Sequence, residues 1–193
     1  PPALAASATC AASAACGTAE VPNEEIVRSG RNLANVVVWI DGIESGRPIV
    51  AASHTLDNNG CQFVPHVASA TVGDTLVVTS SDATLHNIHA FIGTTTAFNM
   101  AIPTRGMRMT RRLTAGAIRF QCDAGHTWMA AHLHVFDHPY HAVTTTSGTF
   151  SLSDVPPGTY TLRAWHERLG SRTASVTVTA SGTATANFSF DAR

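Results

Sequence analysis

Short segments rich in β-branched residues, separated by turn residues, run through most of this chain. NVVVWI at 35–40 ends in Asp41-Gly42, and TLVVTS at 75–80 follows Gly73-Asp74. Such pairs favour tight turns between strands. No segment carries a helical period longer than two turns. The pattern therefore predicts an all-β protein built from β-sandwiches.

Other segments share the strand pattern and extend the prediction to the C-terminal end. They lie at 68–72, 86–92, 107–113, 117–122, 131–136, 148–155, 160–166, 174–180 and 183–190. Pro139, in Asp137-His138-Pro139, cannot donate to a β-ladder and suits a crossing between sheets. About 55 residues follow it, enough for a small sandwich. We expect a flexible leader over 1–30, a first domain over 31–137 and a second over 138–193.

The composition excludes several classes of partner. Charged residues make up 13% of the chain and the net charge is -1. The sequence has no stripe of basic residues of the kind that indicates a nucleic-acid partner. No apolar run reaches about 18 residues, so we expect no membrane-spanning segment. The first sixteen residues are small and uncharged and lack a signal-peptide pattern, which favours a mature or trimmed chain.

QCDAGHTWMAAHLH, at 121–134, concentrates side chains that bind metals. Cys122, His126 and Met129 have the spacing Cys-x3-His-x2-Met, and a distant stretch supplies His86 followed by Asn87. A blue-type copper site needs one thiolate, two imidazoles and a weak axial ligand, often a thioether. Since one short loop cannot surround a metal, a ligand from a separate strand is required. These residues predict a site for one copper ion.

FVPHVASATVGDTLVVTSSDATLHNI followed by the Cys-His-Met loop resembles the cupredoxin family. The resemblance covers about residues 35–136 and implies a Greek-key sandwich. It also implies that His86 is the upstream ligand, Cys122 the thiolate, His126 the second imidazole and Met129 the axial thioether. Asn87 would tie the two ligand loops together. A dinuclear centre would need a second cysteine at position 118, which is Ile, so one copper ion is expected.

The remaining histidines and methionines are weaker candidates for metal ligands. His66 is a candidate for orienting a ligand, because metal-bound histidines commonly need such a partner. His89 should point away from His86, since it lies three residues along the same strand. A second ion could bind the histidines of HLHVFDHPYH, but hydrogen bonding is the favoured role. Those histidines are His132, His134, His138 and His141. The methionines at 100, 107 and 109 are expected in the core.

The other cysteines predict one disulfide. Cys61 follows Asn-Asn-Gly in a turn, and we expect it to pair with Cys16 or with Cys10, Cys16 being preferred. The rival pairing joins Cys10 to Cys16. A bridge to Cys61 would pin the leader and would indicate an oxidising compartment, so we expect a periplasmic or secreted protein.

Residues 144–170 resemble the carboxypeptidase regulatory-like domains, through a Phe-containing strand and Pro-Pro-Gly-Thr-Tyr-Thr-Leu. The resemblance implies a small prealbumin-like β-sandwich without catalysis. Thr or Ser replaces the acidic turn residue at 145–147, so calcium binding is not expected. From about residue 31 onward, the chain carries in order NVVVWIDG, GCQFVPHV, LHNIHA, FNM, DHPYHAVT and AWHE. This order also resembles that of a group of exported bacterial methylamine-utilisation or cupredoxin-like proteins.

The leading functional hypothesis is an exported copper protein that carries electrons to or from a redox partner protein. A second hypothesis, using the same ligands together with the additional methionines and histidines, is copper storage or delivery. A third leaves the axial position open for small-molecule redox chemistry, but no acid–base pair is evident in the sequence and we do not predict an enzyme. A metal-free adhesive module is the fourth.

Overall fold

The computed structural model describes residues 23–191, and these contain fifteen strands and no helix. The all-β prediction is confirmed. No helix of this part of the chain could therefore cross a membrane. The strands are β1 (Arg28–Ser29), β2 (Asn32–Leu33), β3 (Val37–Ile40), β4 (Ser53–Asn59), β5 (Gln62–Val64), β6 (Val67–Thr71), β7 (Thr75–Ser80), β8 (His86–Ile92), β9 (Thr95–Ile102), β10 (Arg108–Arg112), β11 (Gly116–Gln121), β12 (Ala130–Phe136), β13 (His141–Val143), β14 (Gly158–His166) and β15 (Gly170–Val178).

The described chain divides into two units, the first formed by residues 23–24 and Ala51–Val135. One of its sheets has the order β10-β7-β4-β5, and the other has the order β6-β12-β11-β8-β9. Strands β4 and β7 pair in parallel, which requires a crossover, whereas β11 is antiparallel to both β8 and β12. The apolar side chains of both sheets form one buried core that includes Phe63, Ile88 and Phe120.

Strand register brings three chain positions to one end of the five-stranded sheet. Gln121, the last residue of β11, pairs with His89 on β8 and with Ala130, the first residue of β12. The start of β8, the end of β11 and the start of β12 are therefore neighbours. The two stretches that carry the predicted metal ligands meet at this end.

Within the described residues, the second unit comprises Glu25–Val50 and residues 136–191. Its main sheet has the order β13-β3-β14-β15, and β3 pairs with both β13 and β14. The observed division therefore differs from the expected boundaries of 31–137 and 138–193, because NVVVWI completes the second sheet. Its run of β-branched residues predicted a strand, but the sequence did not show which distant strands it pairs with.

Two predicted strands of the second unit do not form. Residues 148–155 and 183–190 are not strands in the structure. Their aromatic residues Phe150, Phe188 and Phe190 nevertheless pack against the core of that unit. The alternating sequence pattern therefore reflects the burial of these side chains and not the pairing of a strand.

Candidate metal centre

His86 begins β8 and is completely buried. Its Nε2 lies 2.9 Å from Asp82 Oδ2. Because an aspartate carboxylate accepts hydrogen bonds, this contact places the ring proton on Nε2. Nδ1 is then the lone-pair nitrogen, and it is buried without a hydrogen-bond partner among the described residues. A buried acceptor without a partner is costly, so Nδ1 is suited to a ligand that the protein itself does not supply.

Cys122 follows the last residue of β11 and carries a free, buried thiol. The backbone N–H of Asn87 donates to Sγ at 3.3 Å. His126 Nδ1 lies 3.6 Å from the same sulfur. Between these residues the chain turns at Gly125, whose φ of 90° strongly favours glycine.

The three predicted donors from Cys and His converge. The ligand atoms of His86, Cys122 and His126 all lie within 4.8 Å of one another. The imidazole rings of the two histidines are 4.8 Å apart between centroids. One thiol and two imidazoles at this separation form the donor set that copper accepts in both oxidation states.

His126 is held in the form that binds metals. Burial lowers the pKa of its imidazole below the ordinary value of 6.5, and the electrostatic influence of the neighbouring His86 lowers it further. Asp82 acts in the opposite direction. The imidazole is therefore neutral near pH 7, with a lone pair available.

Met129, the predicted axial ligand, is buried in the core of the first unit. Its backbone N–H donates to the carbonyl of His126 at 2.9 Å, which closes the turn of the ligand loop. Since β12 begins at Ala130, Met129 lies at the same end of the sheet as Cys122. A copper–thioether bond stays a prediction.

Hydrogen bonds join the two ligand stretches to each other. Asn87 Oδ1 accepts from the Asp123 backbone N–H at 3.2 Å, and Asn87 Nδ2 donates to Asn99 Oδ1 at 2.6 Å. Asn87 thus contacts the residue after Cys122 through its side chain and the Cys122 sulfur through its backbone. His66 is nearly buried, and its Nδ1 lies 2.9 Å from the Ala130 carbonyl oxygen, one residue after Met129.

Asp82 is the site residue that the sequence reasoning missed. Its Oδ1 accepts from the Gly60 backbone N–H at 2.8 Å, and its Oδ2 accepts from Cys61 N–H at 2.9 Å as well as from His86. Cys61, Asp82 and His86 form a second group of possible metal ligands that shares His86 with the first. The sequence offered one indication of this role, because Asp82 precedes the candidate ligand His86 by four residues.

The other histidines of the first unit have different neighbours. His89 Nδ1 lies 2.7 Å from Asp123 Oδ2, and its Nε2 lies 2.8 Å from Thr96 Oγ1. His132 and His134 alternate with the buried residues of β12 and share its outward face. Burial, aided by His132, lowers the pKa of His134 to about 4, so this imidazole is neutral near pH 7.

The predicted bridge joins Cys61 to Cys16, and Cys16 lies outside the described residues. Most of the predicted leader over 1–30 also lies outside them. Cys61 itself is buried and occupies the two-residue turn between β4 and β5. Gly60 and Cys61 have φ values of 62° and 56°, as a type I′ hairpin turn requires. The pairing of Cys61 stays a prediction.

Comparisons with known proteins find one family model and several solved structures that are similar to part of the chain. Residues 123–191 match the family model of the carboxypeptidase regulatory-like domain. A Cu(I) structure of amicyanin with a Met-to-Gln substitution is similar at 19% identity, covering 43% of this chain and 81% of that one, with a TM-score of 0.37. A Met-to-Ala amicyanin variant covers 51% and 97% at the same identity and TM-score. A Cu-containing nitrite reductase from Thermus scotoductus is 18% identical, covering 50% of this chain and 24% of that one, with a TM-score of 0.38. No curated protein matches the sequence.

Proposed function

We propose that this chain is an exported mononuclear copper protein that transfers electrons. His86, Cys122 and His126 would bind the ion, and Met129 would be the weak axial ligand. The convergence of three donor atoms within 4.8 Å of one another carries the proposal. In addition, His86 Nδ1 is buried and has no hydrogen-bond partner within residues 23–191. A copper ion held there would supply a one-electron redox couple.

The residues around the donors suit electron transfer because they are already held in place. Asn87 and Asp82 hold Cys122 and His86 before any metal arrives. A site whose ligands move little between oxidation states exchanges electrons with a small reorganisation cost. Cys122, with a relative exposure of 4%, lies away from water, which also protects a thiolate from oxidation.

His126 offers the electron a route to the surface. It is half-buried, whereas His86 is fully buried, so of the two imidazoles only that of His126 is accessible to a partner protein. Its ring lies 5.5 Å from the ring of Trp128, in an edge arrangement. Trp128 Nε1 donates to the Cys61 carbonyl at 3.0 Å, which fixes this aromatic side chain beside the half-buried imidazole of His126.

Storage or delivery of several copper ions has less support in the structure. The three methionines that could supply additional thioether ligands all pack against the core of the first unit: Met100, Met107 and Met109. An exported location accords with the predicted disulfide at Cys61, because such bridges persist in oxidising compartments. We therefore favour one tightly bound ion in a periplasmic or secreted protein.

Copper titration of the reduced protein tests the proposal. We expect one Cu(II) per chain, an intense visible thiolate-to-copper band and reversible one-electron reduction. Cys122→Ser should abolish the band, because serine cannot supply the charge-transfer donor, while the far-UV circular dichroism of the metal-free protein stays unchanged. Met109→Leu is the matched control and should keep the band. Several weakly held Cu(I) ions per chain would favour delivery instead.

A further inference from the structure

Asp82 is held rigidly on the side of His86 that faces away from the predicted copper position. Its carboxylate accepts the backbone N–H groups of Gly60 and Cys61 at 2.8 and 2.9 Å. Ser80 Oγ lies 3.2 Å from both the backbone N and the backbone O of Asp82. Asp82 is buried, with a relative exposure of 7%. The hydrogen bonds leave the carboxylate little freedom to turn away from His86.

The contact from His86 Nε2 to Asp82 Oδ2, at 2.9 Å, has two consequences for Nδ1. It fixes the proton on Nε2, which leaves the lone pair on Nδ1, and it holds the ring where one of its nitrogens lies within 4.8 Å of the donor atoms of Cys122 and His126. A hydrogen bond to an anion also raises the basicity of an imidazole, so the opposite nitrogen becomes a stronger donor. A stronger nitrogen donor favours Cu(II) over the softer Cu(I).

We propose that Asp82 is a positioning residue for the copper centre: it orients His86 and lowers the reduction potential by stabilising the oxidised ion. This inference rests on the proposed function, since it concerns the affinity of the same site. It adds a residue outside the predicted ligand set, and it makes the Gly60-Cys61 turn part of the support for the site. The Cys61 carbonyl also accepts the Trp128 indole N–H, so one turn contacts both ligand stretches.

Asp82→Asn is the decisive variant because it preserves size and removes the negative charge. Loss of an outer partner of a metal ligand typically costs about 10–100-fold in metal affinity. We expect a loss of Cu(II) affinity in that range and a smaller loss of Cu(I) affinity. Each tenfold difference between the two losses raises the reduction potential by about 59 mV for a one-electron couple.

The chain offers a matched control in Asp74, a second buried aspartate of the first unit that contacts a histidine. Asp74 Oδ2 lies 2.7 Å from His54 Nε2, and neither residue belongs to a candidate metal group. Asp74→Asn should leave the copper affinity within about twofold of the wild-type value and the reduction potential within about 20 mV of it. This is expected because Asp74 contacts no candidate metal ligand. Equal changes in both variants would overturn the proposal, because they would reflect general destabilisation.

A measurement on the metal-free wild type tests the orientation of His86 independently of copper and of any variant. Nitrogen-15 NMR should show His86 protonated on Nε2 and unprotonated on Nδ1. Protonation on Nδ1 would overturn the proposal, and so would an Asp82→Asn protein with unchanged Cu(II) affinity and potential. Absence of the thiolate band in the wild type would instead refute the proposed function, while the NMR result would still report on the Asp82 contact.

Discussion

Asp74→Asn gives a quantitative test of how the first unit is held together. Asp74 has a relative exposure of 2% and accepts three hydrogen bonds. Oδ1 accepts from Ala52 N at 2.7 Å, whereas Oδ2 accepts from Thr71 N at 2.8 Å and from His54 Nε2 at 2.7 Å. The carboxylate therefore ties the start of β4 to the turn between β6 and β7.

The expected cost follows from the number of acceptors. An asparagine has one side-chain oxygen, so it can keep the Thr71 and His54 bonds only by turning its NH2 group toward the Ala52 N–H. Losing one hydrogen bond to a charged group costs about 1.5–3 kcal/mol, and the two that remain lose their charge assistance. We expect the free energy of unfolding of the first unit to fall by about 3 kcal/mol at pH 7.

The pH dependence identifies the cause of this loss. Burial raises the pKa of Asp74, but the hydrogen bonds from Thr71, Ala52 and His54 outweigh it and hold the pKa below the ordinary value of 3.8. A lowered carboxyl pKa contributes stability that is present above the unfolded-state value and is lost as the pH falls through the folded-state value. The difference between wild type and variant should be complete at pH 7 and should shrink below about pH 4.

Urea unfolding of the metal-free protein measures the effect. Trp128 fluorescence, in a Trp39→Phe and Trp165→Phe background, reports on the first unit alone, because both replaced residues belong to the second. Asp57→Asn is the control, since this half-buried carboxylate contacts one side chain, Ser81, and should cost at most about 1 kcal/mol. A loss under 1 kcal/mol for Asp74→Asn, or one independent of pH, would refute the reasoning.

Three further substitutions test separate parts of the structure. Asn87→Ala removes the acceptor for Asp123 N–H and should lower the unfolding free energy by about 1 kcal/mol in thermal melts; an unchanged melting temperature would contradict its bridging role. Met129→Leu should cost under about 1.5 kcal/mol in urea unfolding yet alter the copper spectrum, whereas an identical spectrum would exclude axial ligation. Gly46→Ala places a Cβ against the Tyr140 hydroxyl, at a position whose φ is 149°. It should destabilise the second unit by about 2 kcal/mol, as measured by hydrogen exchange. Unaltered protection of the amides would contradict this, because it would show that the segment relaxes around the new methyl group.

The strands that the sequence predicted correctly are those with strong alternation. HNIHAFI became β8, in which His86, Ile88 and Ala90 are buried in turn. SHTLDNN was not recognised as β4, because Asp and Asn are poor strand formers and only Leu56 marks its apolar side. Parallel pairing with β7 stabilises this strand. A local sequence pattern does not show which distant segments pair, so the strand could not be predicted from its own residues.

The candidate site was predicted to a similar depth. Spacing and residue type were sufficient to nominate His86, Cys122 and His126, because few side chains bind copper and their order was informative. Asp82 was missed since a lone aspartate in a loop is usually solvated, and its role depends on burial and on the Gly60-Cys61 turn. That turn is brought beside Asp82 by the parallel pairing of β4 with β7, through which Asn58 lies opposite Ser80.

X-ray absorption at the copper edge, on wild-type protein loaded with one Cu(II), tests the central claim most directly. The account predicts a first coordination shell of one short copper–sulfur bond and two imidazole nitrogens, with the short sulfur bond lost in Cys122→Ser. A wild-type shell composed of nitrogen and oxygen alone would contradict it.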